Sequence, residues 1–345
     1  MKLRIDRLFR GDRLCAADYA VLLENRTPAT TAYLFEKAAQ VRRRVYGNQI
    51  FIRGLIEISN YCKNDCYYCG IRASNRSASR YRLTEEQILC CCAEGHRLGF
   101  RTFVLQGGED AYFTDARLCR LLCKMKARWP DCAVTLSLGE RSAESYRLLR
   151  EAGADRYLLR HETADDAHYR TLHPPQMDPQ NRKACLRTLK RLGYQVGAGF
   201  MVGSPGQTTK TLVRDLLFLR ELNPQMVGIG PFIPHHDTPF RDAPAGTLEL
   251  TLFLLALTRL TLPHVLLPAT TALGTIAPDG REQGFAAGAN VVMPNLSPTA
   301  VRTKYSLYDH KICTGDEAAE CVRCLAARMQ AVGGEIVTAR GDYIP

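Results

Sequence analysis

The run Gly54-Leu55-Ile56-Glu57-Ile58-Ser59-Asn60-Tyr61-Cys62-Lys63-Asn64-Asp65-Cys66-Tyr67-Tyr68-Cys69-Gly70 joins a short apolar segment to a C-x3-C-x2-C loop. A bounded apolar run of this length reads as a buried strand. Three thiolates so close in sequence can each take one corner of an iron-sulfur cluster, leaving the fourth iron open to a chelating ligand. Zinc is the competing reading, but structural zinc takes four ligands, and no fourth Cys or His stands nearby in zinc-like spacing.

Outward from this loop, short apolar runs alternate with amphipathic segments, the pattern of repeated βα units. Candidate strands lie at 54–59, 102–106, 133–138, 155–160, 195–201, 226–230, 265–269 and 290–293. That is about eight, the number that closes a (β/α)8 barrel. Between them, Thr84 and Gln87 form a capping box for a helix that Gly99 stops; 178–192 ends at Gly193, and 208–222 ends before Pro224. A helical N-terminal arm runs to about Val45. In a barrel, polar residues just after each strand converge at the C-terminal mouth, which is where the cysteine loop would stand.

The 345 residues, 46% of them hydrophobic, are enough for a large core. The longest apolar stretch, Leu248 to Leu262, is interrupted by Thr258 and Arg259 and falls short of a membrane span. Met1 to Leu14 lacks the apolar run of a secretory signal, so a soluble, cytoplasmic protein is expected. In that setting fourteen cysteines read as ligands, catalytic groups or small buried apolar residues rather than disulfides. The net charge of +11 is spread along the chain without a dominant basic run, which weighs against nucleic acid as the partner. Cys90, Cys91 and Cys92 are neighbours within one predicted helix and point different ways, so packing is expected of them, as of Cys15, Cys119, Cys123, Cys132 and Cys185.

The cysteine loop, with aromatic Tyr67-Tyr68 before its third cysteine, resembles the signature of the radical S-adenosylmethionine superfamily. In that family the open iron chelates the amino and carboxylate groups of the cofactor's methionine part, and one electron breaks its sulfur–C5′ bond. The resemblance implies a 4Fe-4S cluster on Cys62, Cys66 and Cys69, with Tyr68 near the adenine. It implies further cofactor contacts from Gly107, Gly108 and Glu109 after the second strand, Ser137 after the third, Glu162 after the fourth and Arg182 in the helix that follows. Glycines let backbone approach a ligand, a carboxylate such as Glu162 can accept from both ribose hydroxyls, and a guanidinium such as Arg182 can grip a carboxylate through two bonds. Taken singly, each of these also fits a turn or a structural ion pair. No catalytic side chain is assigned beyond cluster and cofactor.

Within the superfamily the chain resembles the biotin-synthase-like group and, inside it, the FeFe-hydrogenase maturases of the HydE branch, from about Phe51 to Leu325. Besides the opening run, the match is carried by Val104 to Asp110, Thr135 to Glu140, Ala152 to Thr163, Gly199 to Thr208, Met226 to His235, Pro268 to Ala272 with Gly274-Thr275, and Gly288 to Asn295. It implies an α/β fold, a complete (β/α)8 TIM-type barrel at 46–312, with the N-terminal arm at 1–45 and a short C-terminal extension at 313–345. Arg160, Thr270, Thr271 and Tyr305 are expected to line a substrate cavity below the cofactor, though strand threonines also follow from β-propensity alone. Cys313, Cys321 and Cys324 match an accessory iron-sulfur site of some family members, against the alternative of a helix with idle cysteines.

The activity so implied is assembly of the diiron subcluster of the hydrogenase active site, on an organometallic iron precursor with carbonyl, cyanide and cysteine-derived ligands. The implied partners are an electron donor, the maturation GTPase and another maturase. A methylornithine-synthase-like or biotin-synthase-like reaction on an organic substrate is the enzymatic alternative; biotin synthase needs further sulfur-donor ligands in the barrel, and the C-terminal cysteines are poorly placed for that. An iron-sulfur carrier or scaffold is the alternative from another class.

Overall fold

The computed structural model describes residues 1–315 and 318–345, and for residues 318–321 the backbone alone. Its strands are β1 (Gln49–Ile52), β2 (Gly54–Ser59), β3 (Thr102–Gly107), β4 (Ala133–Ser137), β5 (Arg156–Leu158), β6 (Gln195–Ala198), β7 (Met201–Val202), β8 (Met226–Val227), β9 (Gly230–Pro231), β10 (Val291–Val292) and β11 (Glu335–Val337). The helices are α1 (Lys2–Arg10), α2 (Ala16–Glu24), α3 (Pro28–Tyr46), α4 (Glu85–Arg97), α5 (Asp115–Arg128), α6 (Ala143–Glu151), α7 (Asp166–Leu172), α8 (Pro179–Arg191), α9 (Thr209–Leu222) and α10 (Leu248–Thr261), with shorter ones and Ala318–Ala331 beyond.

Strands β2, β3, β4, β5, β6 and β8 form, in that order, the parallel sheet of an α/β fold. Isolated parallel bridges carry the pairing onward: Met226 to Leu266, Pro268 to Val291, and Asn295 back to Leu55 of β2. The strand expected at 265–269 exists only as these bridges, because Pro268 has no amide hydrogen to give a ladder. The segments expected as single strands at 195–201 and 226–230 each break at a glycine. A Cβ on Gly199, whose φ is 151°, would stand 2.0 Å from the Gly228 carbonyl oxygen, so the two backbones meet too closely for side chains.

The helices follow the caps read from sequence. Thr84 accepts from the Gln87 amide and Gln87 answers on the Thr84 amide, while α9 stops at Asn223 in the left-handed conformation. Helix α10 is buried from Thr251 to Arg259 because α3 packs on its outer side through Leu34, Ala38 and Val41. A helix apolar all round is thereby a core helix. Among the described residues no helix is long and apolar enough to cross a membrane.

The C-terminal segment returns beneath the sheet. β11 pairs with β1, the Thr102 hydroxyl donates to the Arg340 carbonyl at 2.7 Å, and Arg156, fully buried, donates to Arg340 O, Gly341 O and Asp342 Oδ1. Since Thr102 and Arg156 begin β3 and β5, this segment covers the sheet's N-terminal end, leaving the other end for a site.

Candidate active site

The C-terminal ends of the strands open into a cavity of about 360 Å3. Register sets its wall: Glu57 pairs with Gln106 and Gln106 with Ser137, so three polar side chains stand side by side on β2, β3 and β4. Cys62, Cys69, Tyr68, Gly107, Gly108, Glu109, Ser137, Glu162 and Arg182 line this one cavity, as do Arg160, Thr270, Thr271 and Tyr305. Residues 62 to 305 in sequence are therefore brought to a single concave surface.

The cysteine loop is held from both sides. The Asn60 side chain donates to Ser79 O and Lys304 O and accepts from the Tyr81 amide, which clamps the loop's root. Asp65 accepts from Arg72 and from the amide and hydroxyl of Ser74, and the Arg72 bonds hold its carboxyl well below the usual range. Gly108 approaches so closely that a Cβ would meet Tyr61 O at 2.2 Å and Cys62 Cβ at 2.7 Å. The next amide, of Glu109, donates to Cys62 Sγ at 3.4 Å. Burial pushes the Cys69 thiol up to about 12, with the Cys62 sulfur adding to it. Such thiols ionise when a cation shares the site. Three soft donors on a half-buried loop, which among the described residues join no His or carboxylate in a metal-ligating group, fit an iron-sulfur cluster better than a hard-metal site.

Across the cavity, Glu162 has a left-handed backbone with φ 63°, a conformation a non-glycine residue adopts at some cost. Arg160 Nη2 lies 3.1 Å from Glu162 Oε2, but off hydrogen-bonding geometry, so both atoms are buried without a hydrogen-bond partner. The Thr270 hydroxyl is likewise buried and unsatisfied. Buried polar groups are rarely left so, and a cluster of them facing one cavity marks a polar ligand's place. Arg182, expected to grip a carboxylate, already has one: its Nε stands 2.7 Å from Glu140 Oε1. Tyr305 is 2% exposed and its hydroxyl accepts from Gln106 Nε2 at 3.3 Å.

The sequence reading missed several cavity residues. Arg53 has two guanidinium nitrogens buried and unsatisfied, while Lys311 Nζ meets Glu57 Oε1 at 2.5 Å with Asn295 on the other carboxylate oxygen. The available signal was a charge at the edge of, or inside, an apolar strand: Arg53 and Glu57 in Arg-Gly-Leu-Ile-Glu-Ile-Ser. Lys311 gave none, because only tertiary folding brings it back to β2.

The remaining cysteines divide. Cys91 and Cys92 are buried and Cys90 is exposed, their directions diverging around α4. Cys313, with φ 65°, receives a bond from Arg281 at 3.3 Å; Cys324 is exposed, and the Cys321 side chain lies outside the described residues. Neither Cys313 nor Cys324 lines the cavity. His235, His236 and Asp309 also converge behind Gly70. There His235 Nδ1 accepts the Asp237 amide, which puts the ring proton on Nε2 and makes the group a hydrogen-bonded brace rather than a ligand set.

The chain is similar to several known proteins. The Radical SAM superfamily matches residues 56–219. The chain is 48% identical over 300 residues to the [FeFe] hydrogenase maturase subunit HydE of Thermotoga maritima, covering 87% of this chain and 85% of that protein. It is 27% identical over 332 residues to the 3-methylornithine synthase of Methanosarcina acetivorans, covering 96% and 92%. The crystal structure of methylornithine synthase (PylB) superposes with a TM-score of 0.85 at 27% identity over 97% of each chain.

Proposed function

Because the chain belongs to the radical SAM superfamily, in the family of the FeFe hydrogenase maturase HydE, we propose that its substrate is a small anionic iron species carrying carbonyl, cyanide and cysteine-derived ligands. The protein is a radical S-adenosylmethionine enzyme acting in hydrogenase maturation, with a 4Fe-4S cluster and S-adenosylmethionine as cofactors. When bound, cluster and cofactor would together supply one-electron cleavage of the cofactor's sulfur–C5′ bond, with methionine as the leaving group. In our reading Cys62, Cys66 and Cys69 hold the cluster. Tyr68, Gly107, Gly108, Glu109, Ser137 and Glu162 seat the cofactor, with Arg182 acting through its pair with Glu140. Arg160, Thr270, Thr271 and Tyr305 face the substrate. The bridges through 266–268 and 291–295 are read as completing an eight-membered barrel around them. Cys313, Cys321 and Cys324 are the candidate accessory cluster ligands. An electron donor, the maturation GTPase and another maturase are the partners in this scheme, and the cytoplasm its setting.

The observation that supports the substrate reading is that Arg160 Nε and the Thr270 hydroxyl are buried without a hydrogen-bond acceptor on residues that line one cavity. Donors without acceptors suit an anion or a metal-bound cyanide. The chain's own groups then bind and orient the substrate beside the cofactor.

The test is hydrogen evolution from an apo FeFe-hydrogenase in an anaerobic maturation mixture lacking only this protein, with 5′-deoxyadenosine measured in the same tube. Restoration of both by the wild type supports the proposal; deoxyadenosine without hydrogen evolution redirects it to another substrate. Thr270→Val keeps volume but removes the hydroxyl. It is expected to lower hydrogen evolution about tenfold, the effect of one lost buried hydrogen bond, while deoxyadenosine release in the absence of substrate stays within about twofold. The likeness to 3-methylornithine synthases gives a second reading, an organic amino-acid substrate. Conversion of lysine, followed by mass spectrometry, would favour it.

A further inference from the structure

We infer that His173 is a positioning residue that aims the Tyr68 ring at the cofactor, an inference resting on the reading above that places the adenine beside Tyr68. The hydrogen bonds fix the histidine's tautomer. His173 Nδ1 lies 2.9 Å from the Tyr169 carbonyl oxygen, which can only accept, so Nδ1 carries the proton. Nε2 is then an acceptor, and it stands 3.1 Å from the Tyr68 hydroxyl, which donates. The ring is 1% exposed, and its pKa is brought down by burial to about 3, so it remains neutral in this tautomer at working pH.

Packing fixes the ring as firmly. His173 stacks on Tyr169 with centroids 3.9 Å apart and meets Tyr68 edge-on at 5.3 Å and 90°. The neighbouring residues grip the same stretch of the cysteine loop: the Tyr67 amide donates to Leu172 O at 3.0 Å, and Cys66 Sγ lies 3.8 Å from Met177 Sδ. The stretch from Leu172 to Met177 thus touches Tyr67, Tyr68 and Cys66. Tyr68 itself lines the cavity while His173 does not. A tyrosine ring has two rotatable bonds to settle, and a buried partner at its hydroxyl settles them before the cofactor arrives.

His173→Phe keeps the ring's volume and stacking but removes the acceptor, whereas His173→Gln can both accept from Tyr68 and donate to Tyr169 O. Each would be made as the full-length, cluster-reconstituted protein, with iron content and cooperative thermal melting recorded to show an intact fold. The expected result is a KM for S-adenosylmethionine in 5′-deoxyadenosine release raised about tenfold in His173→Phe with a smaller change in kcat, and restored at least in part by His173→Gln. The shift in the electron paramagnetic resonance signal of the reduced cluster on adding the cofactor should weaken in the same order. In a Tyr68→Phe background, which already lacks the donor, His173→Phe should add almost nothing. A wild-type KM and signal in His173→Phe, or full additivity with Tyr68→Phe, overturns the inference alone. A wild type that releases no deoxyadenosine overturns the proposed function and the inference together.

Discussion

Cys66→Ala is expected to yield a folded protein with no measurable 5′-deoxyadenosine release. The fold should persist because Cys66 is half-buried on a loop whose root and turn are held by Asn60, Asp65 and Arg72. Its sulfur touches Met177 but closes no core layer. Activity should vanish because the loop brings three cysteines, and with two the cluster loses its hold. The measurement is deoxyadenosine per chain under a strong reductant, beside iron content and a thermal melt. Retained release above a few per cent of the wild type would show that the cluster is not held by this loop. A lost melting transition would call for Cys66→Ser, which keeps volume and supplies a poorer ligand.

Arg156→Leu should give the largest loss of stability of any single change considered. The guanidinium is fully buried and donates to Gln195, Thr102, Arg340 O, Gly341 O and the Asp342 carboxylate. Leucine would strip these acceptors of their partner and free the C-terminal segment from the sheet. Removing one member of a buried pair costs about 3–5 kcal/mol; Asp342, being 41% exposed at its side chain, can rehydrate, so about 3 kcal/mol is expected. That corresponds to roughly 4 °C in Tm for a chain of this length. The pH dependence follows from Asp342. Burial pushes its carboxyl up, but Arg340 and Arg156 outweigh this and hold it well below the usual range. An acid depressed in the folded state contributes stability that is complete above its unfolded value, about 3.9, and lost as pH falls through the folded one. The gap in Tm between wild type and variant should therefore be constant from pH 8 to about pH 5 and narrow only below about pH 4. A gap that narrows already at neutral pH would show that a different group carries the effect.

Legibility of the fold followed the range of the interactions. The helix start at Thr84 was readable because capping acts over three residues, and the cysteine loop because its ligands lie within eight. Strand ends were less so. Gly199 and Gly228 break their strands through contact with each other, and Pro268 leaves bridges where an apolar run suggested a ladder. The pattern of apolar residues records which segments are buried but not how closely two backbones will come.

The site divides in the same way. From the sequence came the identity of the chemistry: three cysteines in C-x3-C-x2-C, an aromatic beside the third, and polar residues following successive strands. Those features are local or periodic, and their meaning survives without coordinates. Only the tertiary structure decided that Arg182 is already paired with Glu140, that Lys311 returns to Glu57, that Arg160 Nε and the Thr270 hydroxyl are buried without a hydrogen-bond acceptor, and that His173 stands behind Tyr68. Each of these depends on which residues distant in sequence share one buried surrounding, where a charge or hydroxyl is either paired or costly. That pairing is set by the packing of the whole sheet and its return segment, and no local pattern encodes it.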